Sequence, residues 1–162
     1  MIAAVDGPAF GMGAEFVTQC DVRIVSTRAR IAWNFVHRGL VPDTGAGSWL
    51  LPRIVGSAAA LRLVLTGEPL EADEALALGF AIAVVEPEDL LSAAHSEALR
   101  YTVGSPFAIR RTKRLLYEGF GRDALTHAQA NRAALEECFA SDDHREGVAS
   151  FLERRPARFT GR

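Results

Sequence analysis

Cysteine is scarce: Cys20 and Cys138 are the only thiols in 162 residues. Two cysteines so far apart make neither a disulfide framework nor a metal-ligand spacing, and a reducing cytoplasm is the expected setting. Long apolar runs are missing too. No stretch approaches the roughly 20 residues that a membrane span needs, and the first residues lack the basic segment and cleavage site of a signal peptide. An excess of charge of either sign is also absent. Lys and Arg number 18 against 20 Asp and Glu, and a pI near 6.1 leaves no electrostatic footprint for nucleic acid. There are no repeats and no low-complexity tracts. What remains is a chain with 49% hydrophobic residues, enough for one packed domain.

The most informative stretch is the first fifteen residues. Ile2 to Val5 is a short apolar strand running into a turn at Asp6-Gly7-Pro8. Gly11-Met12-Gly13 then leads into a helix from Ala14 to Cys20 that carries Glu15 in its first turn. Glycines at a loop-to-helix junction let the backbone approach a ligand and leave amide N–H groups facing outward. Such amides, at the positive end of the helix dipole, suit a developing negative charge. A carboxylate beside them can move protons. A strand and oxyanion-type loop at residue 1 read as the middle of a domain.

Farther on, Val22 to Val25 and Ile31 to Trp33 read as strands, and His37 to Gly47 as a loop rich in glycine with one proline. Ser48 to Val55, Ala58 to Leu65 and Glu71 to Leu78 read as short helices closed by Gly56, Gly67 and Gly79, before a strand from Ala81 to Val85. From Pro87 the character changes. Glu88 to Val103, Pro106 to Glu118, Arg122 to Ala140 and Asp142 to Arg154 are amphipathic helical stretches. Ser105 is placed as an N-cap ahead of Pro106, and Asp142-Asp143 opens the last helix at the favourable end of its dipole.

Five segments in order resemble the crotonase, or enoyl-CoA hydratase/isomerase, superfamily. They are Ile2 to Glu15 with Cys20-Asp21-Val-Arg-Ile-Val25 after it, Gly39-Leu-Val-Pro-Asp-Thr-Gly45, Ser48 to Gly56, Leu65 to Gly79, and Asp142-Asp-His-Arg-Glu-Gly147 leading to Phe151-Leu-Glu-Arg-Arg155. The resemblance covers the family's middle and C-terminal portion. It implies an α/β fold. Residues 1–86 would be the C-terminal part of a ββα spiral carrying the active-site loops, and residues 87–162 a helical trimerisation region.

The resemblance also implies acyl-CoA chemistry, with an enolate of the thioester held between two backbone N–H groups. Met12 matches the position giving one of them; the other belongs, in the family, to a segment N-terminal to residue 1. Glu15 matches the first of two glutamates that hold water in hydratases. The second position is Phe35, which cannot transfer a proton. Asp43 falls where some isomerases of the family keep an acidic group, so isomerisation is favoured over hydration, while Glu15 and Asp43 together also suit a modified hydration or a thioester hydrolysis. Gly11 and Gly13 line the substrate, Trp49 belongs to the acyl pocket, and Phe151 and Arg154 match positions at the nucleotide end of coenzyme A. No cofactor or metal is implied beyond the coenzyme A of the substrate. The expected assembly is a homotrimer or a dimer of trimers, without nucleic acid or membrane as a partner.

Plainer roles compete with these. Gly11 and Gly13 can simply shape a turn. Glu15 stabilises a first turn whether or not it is catalytic, and Asp43 can cap the helix that follows it. Trp33, Phe35 and Trp49 can be core residues. His37 has no evident partner, and Arg110, Arg111, Lys113 and Arg114 form a basic helix face. The alternative function is a truncated, inactive acyl-CoA-binding or assembly module.

Overall fold

A computed structural model describes all of residues 1–162. The chain packs as two units, Met1–Ala98 and Leu99–Arg162. The division falls inside a helix, Leu90–Arg100, rather than ahead of it at residue 87. Leu90 on this helix is buried, which ties its start to the first unit.

The first unit is built from strand pairs followed by helices. Strand β1 (Ile2–Val5) turns at Gly7 into β2 (Pro8–Phe10), and helix α1 (Met12–Gln19) follows. Strands β3 (Val22–Ser26) and β4 (Arg30–Ala32) repeat the pattern. β1 lies parallel to β3 with Ile2 opposite Val22, and β2 lies parallel to β4 with Pro8 opposite Arg30. Each strand pair thus contributes one strand to each of two sheets, the strand–strand–helix spiral that the resemblance implies. A late strand, β6 (Ala83–Val85), joins β3 in parallel, and β5 (Leu70–Glu71) closes the second sheet antiparallel to β4.

Pro8 to Phe10 form a strand where the sequence reads as a turn running into a loop. Proline is tolerated there because it opens the strand, where no ladder N–H is needed. α1 begins at Met12, two residues before the expected start. The stretch expected as one helix from Ser48 to Val55 is two, α2 (Ala46–Trp49) and α3 (Leu51–Val55). Pro52 explains the break, since it has no N–H to donate one turn back. Asn34–Arg38 is a short 3₁₀ helix where the sequence shows only the start of a loop. Helices α4 (Ser57–Thr66) and α5 (Ala72–Ala77), with α6 (Leu90–Arg100) as far as Ala98, complete this unit.

Its core gathers Val25, Ile31, Trp33, Leu51, Leu63, Leu70 and Phe80, with the Trp33 and Phe80 rings meeting edge to face at 5.5 Å. Trp33 and Phe35 are core residues, as expected. One charged residue joins them. Arg23, buried on β3, donates to the carbonyls of Thr18 (3.3 Å), Cys20 (2.5 Å) and Phe80, so it closes the C-terminal end of α1. Helix C-terminal carbonyls lack partners of their own and attract a cation.

The second unit holds α7 (Pro106–Gly119), α8 (Ala124–Ala140) and α9 (Asp142–Leu152). Ser105, Asp123 and Ser141 cap them through the amides of Ala108, Thr126 and His144. α9 ends at Leu152, short of the expected Arg154, which takes a left-handed φ of 53°. The tail then folds back onto α9 and α7. The buried Asp143 carboxylate accepts from the Ser105 hydroxyl (2.6 Å) and from the amides of Thr160 (2.7 Å) and Gly161 (3.0 Å). Glu146 accepts from both terminal guanidinium nitrogens of Arg155, at 2.5 and 2.9 Å. The basic face is not merely solvated: Arg110 donates to the Gly161 carbonyl, Arg111 pairs with Glu137, and Arg114 pairs with Glu118.

Candidate active site

The candidate site starts at the end of β2. Gly11 adopts φ 54° and ψ −117°, a conformation that other residues avoid. Its N–H donates to the Ala32 carbonyl (2.8 Å) on β4, and its own carbonyl receives the Glu15 N–H (3.1 Å). Met12 is the first residue of α1, and Gly11 brings no side chain to cap it. The Met12 N–H therefore has no carbonyl one turn back to receive it and leaves the helix at its positive end. The Met12 side chain is half exposed. A β-carbon at Gly13 would meet only the Ala9 methyl, at 3.7 Å, so packing does not demand glycine there.

Glu15 is fully buried. Its Oε2 accepts from the Thr44 hydroxyl (2.6 Å), the Ala46 N–H (3.0 Å) and the Thr44 N–H (3.2 Å), and its Oε1 accepts from the Gly47 N–H (2.7 Å). Ala46 and Gly47 are the first two residues of α2, so this helix is capped by a carboxylate from another helix. Gln19, one turn farther along α1, donates to the Thr44 hydroxyl at 3.0 Å. Trp33 stands on the same contact, and its indole N–H is buried without a hydrogen-bond partner.

Asp43, the residue before Thr44, is exposed. It does not cap α2, because Glu15 does so and Gly45 holds the N-cap position with φ 82°. No donor or cation engages the Asp43 carboxylate. Phe35 packs in the core beside the Gly11 turn.

Trp49 is not a core residue. It is about half exposed, with the Arg53 guanidinium stacked 3.4 Å above its ring. His37 has the partner that its sequence context conceals: Nε2 lies 2.8 Å from the Thr66 carbonyl, and the ring covers Gly67. Phe151 and Arg154 lie in the second unit, both exposed. Helix α1, which starts at Met12, thus meets the segment that follows Asp43 through the contacts of Glu15 with Thr44, Ala46 and Gly47. Thr44 and Gly47 were not singled out as site residues by the sequence. The one signal for them is the Gly45-Ala46-Gly47 run, which also fits an ordinary loop.

A family model described as Enoyl-CoA hydratase/isomerase matches residues 1–162. The chain is 36% identical over 155 residues to the short-chain-enoyl-CoA hydratase of Clostridium acetobutylicum, covering 96% of this chain and 59% of that protein. It is 37% identical over 159 residues to the crotonyl-CoA hydratase of Syntrophomonas wolfei, covering 98% of this chain and 61% of that protein. Among solved structures, the enoyl-CoA hydratase EchA1 of Mycobacterium marinum superposes with a TM-score of 0.94 at 36% identity, over 99% of this chain and 66% of that one. The chain spans about three fifths of the length of the two curated relatives.

Proposed function

Since the chain belongs to the enoyl-CoA hydratase/isomerase family, we propose that it acts on an enoyl thioester of coenzyme A and moves the double bond by proton transfer. The observation that carries this reading is the contrast between two positions. Phe35 is a buried hydrocarbon where a water-holding glutamate would be needed, while Asp43 offers an exposed, unengaged carboxylate.

Asp43 takes the proton from the carbon next to the thioester carbonyl of a 3-enoyl chain. The electron pair moves onto the thioester oxygen, and the Met12 N–H stabilises the resulting charge at the positive end of α1. Asp43 returns the same proton at the far end of the conjugated system, which leaves a 2-enoyl thioester and no net change in atoms. The fixed turn at Gly11 supports this role for Met12, because it holds the first amide of α1 in place before substrate arrives. In the family a second N–H donor comes from a segment N-terminal to this stretch, so the test uses the protein at its full natural length.

The relatives named as hydratases favour a second reading, addition of water to the 2-enoyl thioester. Incubation with a 3-enoyl-CoA and with a 2-enoyl-CoA separates the two. Isomerisation creates conjugated-enoyl absorbance from the first substrate; hydration removes it from the second. Turnover of neither would leave an acyl-CoA-binding or assembly module.

We also propose a homotrimer, singly or stacked in pairs. Leu116, Phe120, Leu125, Leu135 and Phe139 on and beside α7 and α8 are exposed apolar residues that supply surface to cover. Light scattering on the purified protein reads the mass of the assembly directly.

A further inference from the structure

We infer that Glu15 is a positioning residue: it holds the loop that carries Asp43 at a set distance from the Met12 N–H and exchanges no proton with substrate. This rests on the enoyl-thioester reading above and narrows it to one proton-moving carboxylate.

Three observations lead there. The first is saturation. An ionised carboxylate is a pure acceptor, and Glu15 receives four donors within 3.2 Å while having no exposed surface. A general base must reach the proton it removes, directly or through one water. Nothing of Glu15 is open to either.

The second is where the donors come from. All four belong to Thr44–Gly47, the segment that begins immediately after Asp43. The Thr44 hydroxyl is held from both sides, donating to Glu15 and accepting from Gln19 at 3.0 Å. Helix α1 therefore grips this segment at two successive turns, and the same helix presents Met12 at its first residue. The separation between the oxyanion donor and Asp43 is transmitted through Glu15.

The third is what the clamp leaves free. The first two amides of α2 would otherwise call for a cap from their own loop, and Asp43 is the acidic residue nearest in sequence. Because Glu15 satisfies both amides, the Asp43 carboxylate is released for chemistry.

The experiment compares three variants of the full-length protein. Glu15→Gln presents an NH₂ group that opposes either the Gly47 N–H or the donors of Thr44 and Ala46. Thr44→Val removes the 2.6 Å hydroxyl bond from the loop side and leaves Glu15 in place. Asp43→Asn removes the proposed proton carrier. A misplacement of about 1 Å at a reacting group costs about 100-fold in rate. Both clamp variants therefore lower kcat by up to that factor with KM little changed, and both keep the acid limb of the kcat/KM profile. Asp43→Asn loses that limb along with turnover. Glu15→Gln and Thr44→Val combine non-additively, since they open the same clamp.

Hydrogen exchange at the Ala46 and Gly47 amides is measured alongside, without substrate. Faster exchange in Glu15→Gln supports the clamp; unchanged exchange overturns it. Loss of the acid limb in Glu15→Gln, with the limb intact in Thr44→Val, also overturns it and makes Glu15 a proton carrier. Absence of turnover in the unaltered protein refutes the thioester reading alone, because the exchange measurement still decides the clamp.

Discussion

Gly47 lies so close to Glu15 that a β-carbon at Gly47 would stand 2.6 Å from the Glu15 Oε1 atom. The same carbon would lie 2.8 Å from Cδ1 of Trp33 and 3.2 Å from Cγ of Pro42. Two of these neighbours, Glu15 and Trp33, are fully buried, so neither has free space to retreat into. Gly47→Ala is predicted to destabilise the protein by about 1–3 kcal/mol, the usual cost of overpacking. Thermal unfolding reads this, and a melting temperature equal to the parent's would contradict the close approach.

Gly11 and Gly13 separate under the same substitution. Gly11 needs a positive φ, and alanine there costs about 1–3 kcal/mol of backbone strain and displaces the Met12 amide. Gly13 has helical geometry with an open flank, so alanine stabilises α1 by about 0.5–1 kcal/mol. If Gly13 also borders the substrate, the added methyl raises KM. The two alanine variants, compared by melting temperature and by KM, should move in opposite directions in stability.

Arg23 donates to the Thr18 and Cys20 carbonyls at the C-terminal end of α1 and to that of Phe80. Replacing it with Met keeps the apolar stem and removes the donors to Thr18, Cys20 and Phe80. Each buried acceptor left unpaired costs about 1–3 kcal/mol. The expected result is a clear loss in urea midpoint, with faster amide exchange concentrated in the last turn of α1. Uniform exchange across the first unit would show that Arg23 does not act through that helix end.

Two carboxylates in the second unit make its stability depend on acid. Arg155 and the Arg158 amide hold the Glu146 carboxyl at about 2, below its ordinary 4.5. Burial alone would raise Asp143, but the Ser105 hydroxyl and the amides of Thr160, Gly161 and Phe107 outweigh it and lower it. Both groups bind their proton less readily in the folded state. The Glu146 contribution is therefore fully present above the ordinary carboxylate range and is lost as pH falls from about 4.5 toward about 2, and that of Asp143 is likewise lost on acidification. Glu146→Gln should flatten the melting temperature over that window and lower it at neutral pH. A parallel pH curve in the variant would refute the linkage.

Most of the elements could be read from local signals. The apolar periodicity of the late helices, Ser105 ahead of Pro106 and the glycines that close α4 and α5 all act over a few residues. The amphipathic pattern and the capping side chains are visible without knowing what they pack against. Pro8–Phe10 carries no local strand signal because its strand character comes from pairing with Arg30–Ala32, a partner distant in sequence. Glu15 shows the same limit inside the site. As a residue in a first turn it reads equally as a helix stabiliser or a catalytic carboxylate. Only folding brings it against Thr44, Ala46 and Gly47, where four hydrogen bonds commit it to the loop. The sequence by itself determined the order of the elements, the Gly11 turn and the family, because those depend on residue type along a short stretch. Tertiary structure decided which carboxylate is bound and which is free, because burial and hydrogen bonding depend on which distant segments meet.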